Sequence, residues 1–149
     1  MEPYPWIVIA RKKLGIHEIP GPGANAFILE CLQKGTDIGA PENESDETAW
    51  CSAFVNRIMQ LSGYHGTRSA WARSWLDWGR EPTDAEFWEG VIVVLERGPN
   101  SGHVAFLEDW ADGRVKLLGG NQGDAVSLAW FDMDRVIGYR IPKAWKAVV

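Results

Sequence analysis

The chain has 149 residues, 46% hydrophobic and 23% charged, with a formal net charge of −5. That suits one globular domain with a real core, and the acidic balance argues against nucleic acid, whose binders carry a clustered basic footprint. The start, Met1-Glu2-Pro3-Tyr4-Pro5, has neither a positive nor an apolar signal region, and the longest apolar runs, Trp6 to Ala10 and Val91 to Leu95, are too short to span a bilayer. The expectation is a protein made in the cytoplasm without a signal peptide and with no membrane insertion.

Pro5 suits the first position of a helix running from Trp6 to about Leu14, with Ile7, Ala10 and Leu14 on its apolar face and Gly15 as its stop. Residues 16–23 read as a turn-rich loop. Asn25 caps a second helix that turns Phe27, Ile28, Cys31 and Leu32 inward and ends at Gly35. Residues 35–49 read as a long polar loop, with Asp37, Glu42, Glu44, Asp46 and Glu47 on a solvated run; loops of that length in compact domains are often functional. The next helix starts at Cys51, carries Phe54, Val55, Ile58, Met59 and Leu61 at helical spacing, and stops at Gly63. A fourth helix is expected over Ala70 to Trp78, capped by Ser69, with Trp71, Trp75 and Trp78 on one face.

From Gly90 the pattern changes to short β-branched and aromatic runs. Strands are expected at Val91–Leu95, His103–Glu108, Val115–Leu118, Val126–Phe131 and Val136–Ile141, with a turn at Arg97 to Gly102 and a hairpin at Asp112-Gly113. Helices first and an antiparallel sheet of about five strands second give an α+β fold in a single domain, residues 1–149. There is no internal repeat, low-complexity tract or interdomain linker.

Cys51 heads its helix in Trp50-Cys51-Ser52-Ala53-Phe54-Val55, and His103 opens its strand in Ser101-Gly102-His103-Val104-Ala105-Phe106. A thiol is a strong nucleophile only as a thiolate, and a helix N-terminus and an imidazole both favour that form. Packing that helix on that sheet brings the two together, the arrangement of cysteine acyl-transfer enzymes. Along the strand His103, Ala105, Leu107 and Asp109 share one face. A third residue must orient the imidazole, and Gly119-Gly120-Asn121-Gln122 ends the next strand; Asn121 is chosen, with Gln122 and Asp124 in reserve. Trp50, Glu18 and Gln122 are candidate substrate-binding residues, and the Trp50 indole N–H a candidate oxyanion donor. Trp110 is a weaker groove candidate. His17 and His65 read as solvated turn histidines. Cys31 and Cys51 lack zinc-ligand and redox spacing; a disulfide between them would consume the nucleophile and a reducing cytoplasm disfavours it, so Cys31 reads as a small buried hydrophobe, and the cysteine chemistry requires no metal or cofactor.

These three segments in this order resemble the CHAP family (cysteine, histidine-dependent amidohydrolase/peptidase) and its NlpC-type relatives, most strongly over residues 48–123. The resemblance implies a papain-like fold with Cys51 as nucleophile, His103 as general base and Asn121 as third residue. It also implies an enzyme that cuts an amide bond of bacterial peptidoglycan, as amidase or stem-peptide endopeptidase, in the manner of a small phage endolysin. Two departures from the family stand out: Gly119 takes a place where many members carry Glu, and no wall-binding repeat is present. The implied partner is peptidoglycan, met in the periplasm after release or delivery by a monomer. A holin or an immunity protein belongs to the same biology. Rival readings are a secreted antibacterial amidase effector, a cysteine deamidase or protease acting on proteins, and a catalytically silent wall-binding or virion-structural module.

Overall fold

The computed structural model describes residues 2–19, 25–37 and 50–146. Much of the turn-rich loop at 16–23 and nearly all of the long polar loop at 35–49 lie outside them.

Helix α1 is Pro5–Arg11, with Pro at its first position and Trp6, Ile7 and Ala10 buried. It ends a turn earlier than its apolar spacing suggests: residues 12–15 continue as turns to Gly15, whose φ of +95° suits glycine. Helix α2, Ala26–Gly35, begins as read, the Asn25 side chain accepting from the Phe27 and Ile28 N–H groups at 2.9 and 3.2 Å. Its last residue must be small, because a Cβ on Gly35 would meet the Ala53 carbonyl of the next helix at 2.6 Å. That helix, α3, is Cys51–Leu61. It is buried almost all round, with Phe54 edge-on to Phe106 of the sheet (6.2 Å between centroids) and Ser52 Oγ accepting from the Trp75 indole at 3.0 Å.

The expected fourth helix is instead a 3₁₀-helix over Ala72–Asp77. Three residues per turn put Trp75 and Trp78 side by side, 4.8 Å apart, but Trp71 falls before the helix and is 53% exposed, so the three do not form one stripe. Ser69 still holds this entry, its hydroxyl accepting from the Trp71 N–H at 3.1 Å.

The sheet has five antiparallel strands: β1 Ile92–Glu96, β2 Gly102–Ala111, β3 Arg114–Gly119, β4 Ser127–Asp132 and β5 Val136–Arg140, in the order β4-β3-β2-β1-β5. Asp112 and Gly113, at φ 53° and 74°, make the β2–β3 hairpin as read. β2 is the middle strand, buried on both faces from His103 to Leu107. Its pairing is uneven. β1 covers it from Gly102 to Phe106, whereas β3 joins only at Phe106, opposite Leu118. Leu107 directs both its N–H and its C=O toward the β1 side, bonding Val91 O and Gly90 N at 2.8 Å each. Alternate residues turn opposite ways, so Val104 and Phe106 face the β3 edge, and at Val104 that edge has no strand on it. No helix among the described residues is long and apolar enough to cross a membrane.

Candidate active site

The start of α3 fills the gap beside Val104. The backbone groups of Val104, Ser52 and Cys51 itself stand near enough to the Cys51 sulfur to favour its thiolate. α3 has no side-chain cap, and its first main-chain bond is Phe54 N–H to Trp50 O at 2.9 Å, so its leading N–H groups are left to serve the sulfur. Burial is the largest influence and pushes the Cys51 thiol up; the backbone groups and the Arg97 cation pull it down. Cys51 is 6% exposed, while Cys31 is fully buried and free on α2.

One residue from Val104, the imidazole of His103 is 1% exposed. Its Nε2 lies 2.9 Å from Gln122 Oε1, and its Nδ1 is buried without a hydrogen-bond partner. The tautomer follows from the amide. Gln122 Nε2 donates to Leu117 O at 3.2 Å and Ser127 O at 2.8 Å, both acceptors only, so the amide oxygen must face the ring. An amide oxygen accepts, so Nε2 carries the proton and Nδ1 holds the lone pair. Burial depresses the imidazole pKa to about 4; the bond to Gln122 opposes this, and the Arg97 and Arg135 cations reinforce it. The ring of Phe131 on β4 lies 5.6 Å from the imidazole. Burial thus favours the uncharged form of both groups, the thiol of Cys51 and the imidazole of His103.

The side chain hydrogen-bonded to the imidazole is that of Gln122, a reserve choice, rather than that of Asn121. Asn121 takes the left-handed conformation, φ 61°, that turns the chain out of β3, and Gln122 then folds back beneath the sheet to His103. Gly119 makes the room: a Cβ there would stand 2.7 Å from Gln122 Oε1 and 2.8 Å from Ala105 Cβ. A larger residue at 119 is thus incompatible with this seat for Gln122.

Trp50 does not line a groove. It is fully buried, and its indole N–H donates to Glu18 Oε1 at 3.1 Å, so it is committed within the protein and not turned to an oxyanion. Glu18 is half-buried, and its segment runs antiparallel to the Gln122 loop: Glu18 N bonds Asp124 O at 2.9 Å and Val126 N bonds Ile16 O at 2.7 Å. The residues flanking Cys51 and Gln122 are thereby tied to one N-terminal stretch. Trp110 lies on the far half of β2, packed on Phe87 and Trp88 at 5.0 and 5.7 Å.

Sequence reasoning missed Asn56. It is fully buried on α3 and accepts from the Arg68 N–H at 3.0 Å while donating to Thr67 Oγ1 and Ser69 O, both at 3.2 Å. Ser69 O also takes the Ser52 hydroxyl at 2.6 Å, fixing the 67–69 turn on the first turn of α3. The available signal was an Asn inside an apolar helix, which must find partners when buried.

Among the described residues no group of three or more His, Cys, Asp or Glu side chains is placed to hold a metal ion. The arrangement is that of acyl-transfer chemistry: a thiol under backbone N–H groups, an imidazole with its basic nitrogen unengaged, and an amide fixing the tautomer. A search of curated proteins gives no match. Comparison with protein-family models matches the CHAP domain over residues 43–121, which includes Cys51 and His103. Helices followed by an antiparallel sheet, with Cys51 at a helix start, are the α+β papain-like architecture of that family. The chain belongs to the CHAP family and is a cysteine, histidine-dependent amidohydrolase or peptidase.

Proposed function

We propose that the protein is a peptidoglycan hydrolase that opens an amide bond of the cell wall through a thioester on Cys51, with His103 as base and Gln122 as the residue that positions it. The observation that carries this reading is the fixed tautomer: Gln122 Oε1 holds Nε2–H at 2.9 Å and leaves the buried Nδ1 without a partner, free to act as the base.

In the reaction Nδ1 takes the thiol proton as the sulfur forms its bond to the amide carbon, and the carbonyl π pair moves to oxygen. The first-turn N–H groups of α3 stabilise that oxyanion; one such donor is typically worth about 100-fold or more in rate. The imidazolium returns its proton to the amine as the C–N bond breaks, leaving a thioester. Water, losing a proton to Nδ1, attacks the thioester; the carboxyl product leaves and the sulfur regains its proton. Burial works against a charged thiolate–imidazolium pair before substrate arrives.

The test compares wild type with Cys51→Ala on purified diaminopimelate-type peptidoglycan, with mass spectrometry of the released fragments. Fragments from wild type alone support the reading. A new free L-alanine N-terminus on an intact stem identifies an amidase, and a cut within the stem an endopeptidase. No fragments from either protein refute it and favour action on proteins.

A further inference from the structure

Beside the first turn of α3 is an open cleft of about 310 Å³, lined among the described residues by Asp37, Arg68, Ser69 and Ala70. It adjoins the candidate site, since Ser69 O accepts the hydroxyl of Ser52, the residue after Cys51, at 2.6 Å.

Its polar wall is held in a set conformation. Arg68 sits at φ 56°, a left-handed backbone that bulky residues rarely adopt. Buried Asn56 fixes it by accepting the Arg68 N–H at 3.0 Å, and the Asp37 N–H donates to Arg68 O at 2.9 Å. Gly or Asn would make this turn with less strain, so the backbone alone does not account for an arginine here. Nor does stability. The Arg68 and Asp37 side chains are 54% and 71% exposed, and exposed pairs of this kind contribute little. Nε and Nη2 of Arg68 both address the same oxygen, Asp37 Oδ1, at 2.9 Å, so the guanidinium does not grip the carboxylate with both forks.

Two unlike charges stand side by side at the mouth of a cleft. A ligand carboxylate alone would be repelled by Asp37, and a ligand ammonium alone by Arg68. A group bearing both, spaced as in a free amino acid, meets attraction at each. We propose that this cleft is a substrate subsite for a zwitterionic amino-acid head, its carboxylate on Arg68 and its ammonium on Asp37. The proposal rests on the peptidoglycan reading above. In a diaminopimelate-type stem the unlinked end of the diamino acid carries ammonium and carboxylate on one carbon; in a lysine-type stem the corresponding end carries ammonium alone.

The test titrates Cys51→Ala, which binds without cleaving, with soluble diaminopimelate-type and lysine-type stem tetrapeptides by isothermal calorimetry. The diaminopimelate peptide is expected to bind at least tenfold tighter. Adding Arg68→Asn, which tolerates the left-handed backbone, should bring the ratio close to one, with an unchanged melting temperature showing that the fold is kept. Equal affinity for the two peptides, a ratio that survives Arg68→Asn, or no binding of either at millimolar concentration overturns the subsite. Equal affinity alongside an active wild type refutes the subsite alone; an inactive wild type on peptidoglycan refutes the hydrolase reading separately.

Discussion

Burying His103 makes the protein's stability depend on pH in a window that one substitution should erase. The imidazole is 1% exposed, and its pKa falls from the ordinary 6.5 to about 4 on folding. Between those values the unfolded chain binds a proton that the folded protein refuses. The folded state therefore gains stability as pH rises through the window; the gain is complete above the unfolded value and is lost as pH falls toward the folded one. Linkage puts the full effect at about 3 kcal/mol, of which about 2 kcal/mol lies between pH 4.5 and pH 7. Urea unfolding of wild type and His103→Gln at those two pH values isolates it. Glu30 and Glu86, whose carboxyls are held below their ordinary range by Arg57 and Arg80, slope in the same direction, but they are present in both proteins and cancel in the comparison. His103→Gln should lose most of the increment. The same burial should place the acid limb of kcat/KM well below the usual imidazole range. Parallel stabilities for wild type and variant across the window would refute the argument, because the imidazole would then titrate alike folded and unfolded.

Two further outcomes follow from the hydrogen bonds around the site. Gln122→Ala removes the three bonds to His103, Leu117 O and Ser127 O; at roughly 1 kcal/mol each the loss is about 3 kcal/mol, read as a lower urea midpoint. Without its partner the imidazole is free to take the other tautomer, so kcat should fall by about 100-fold or more with KM little changed, measured by steady-state kinetics on a soluble muropeptide. Asn56→Ala strips the Arg68 N–H, Thr67 Oγ1 and Ser69 O of their common partner and should cost about 2–4 kcal/mol in urea unfolding.

The architecture was legible where short-range signals act without competition. Asn25 caps α2, Gly35 and Gly63 stop their helices, Asp112-Gly113 turns the hairpin, and the β-branched runs become strands. The 72–77 segment misled because tryptophans three and four apart fit an α-helix, whereas the tighter 3₁₀ turn lets Trp75 reach Ser52. At the site, the helix start and the strand histidine were readable from Cys51 and His103. The residue against the imidazole was not, because Asn121 and Gln122 are adjacent, both carry amides, and a left-handed turn decides which one folds back. The best clue was Gly119, whose missing side chain leaves the space Gln122 occupies. Trp50 looked like a groove residue because it precedes Cys51, but its partner Glu18 is distant in sequence and no local pattern reveals the pairing. Val104 lies within the His103 segment, but its side chain gives no sign of its part: a backbone group left over where β3 stops short.

The short antiparallel run of residues 16–18 along 124–126 bears on where this domain can be cut. The segment that matches the family, 43–121, keeps Cys51 and His103 but stops one residue before Gln122 and omits the strands β4 and β5. It also leaves out Glu18, which holds the Trp50 indole, and the main-chain bonds from Ile16 and Glu18 that brace the loop beyond Gln122. Homology marks the reacting pair, while the framework that sets their geometry is drawn from both flanks. A version trimmed to the matched residues would keep Cys51 and His103 without Gln122, without the Glu18 partner of Trp50, and without the strand pairing of β4 and β5.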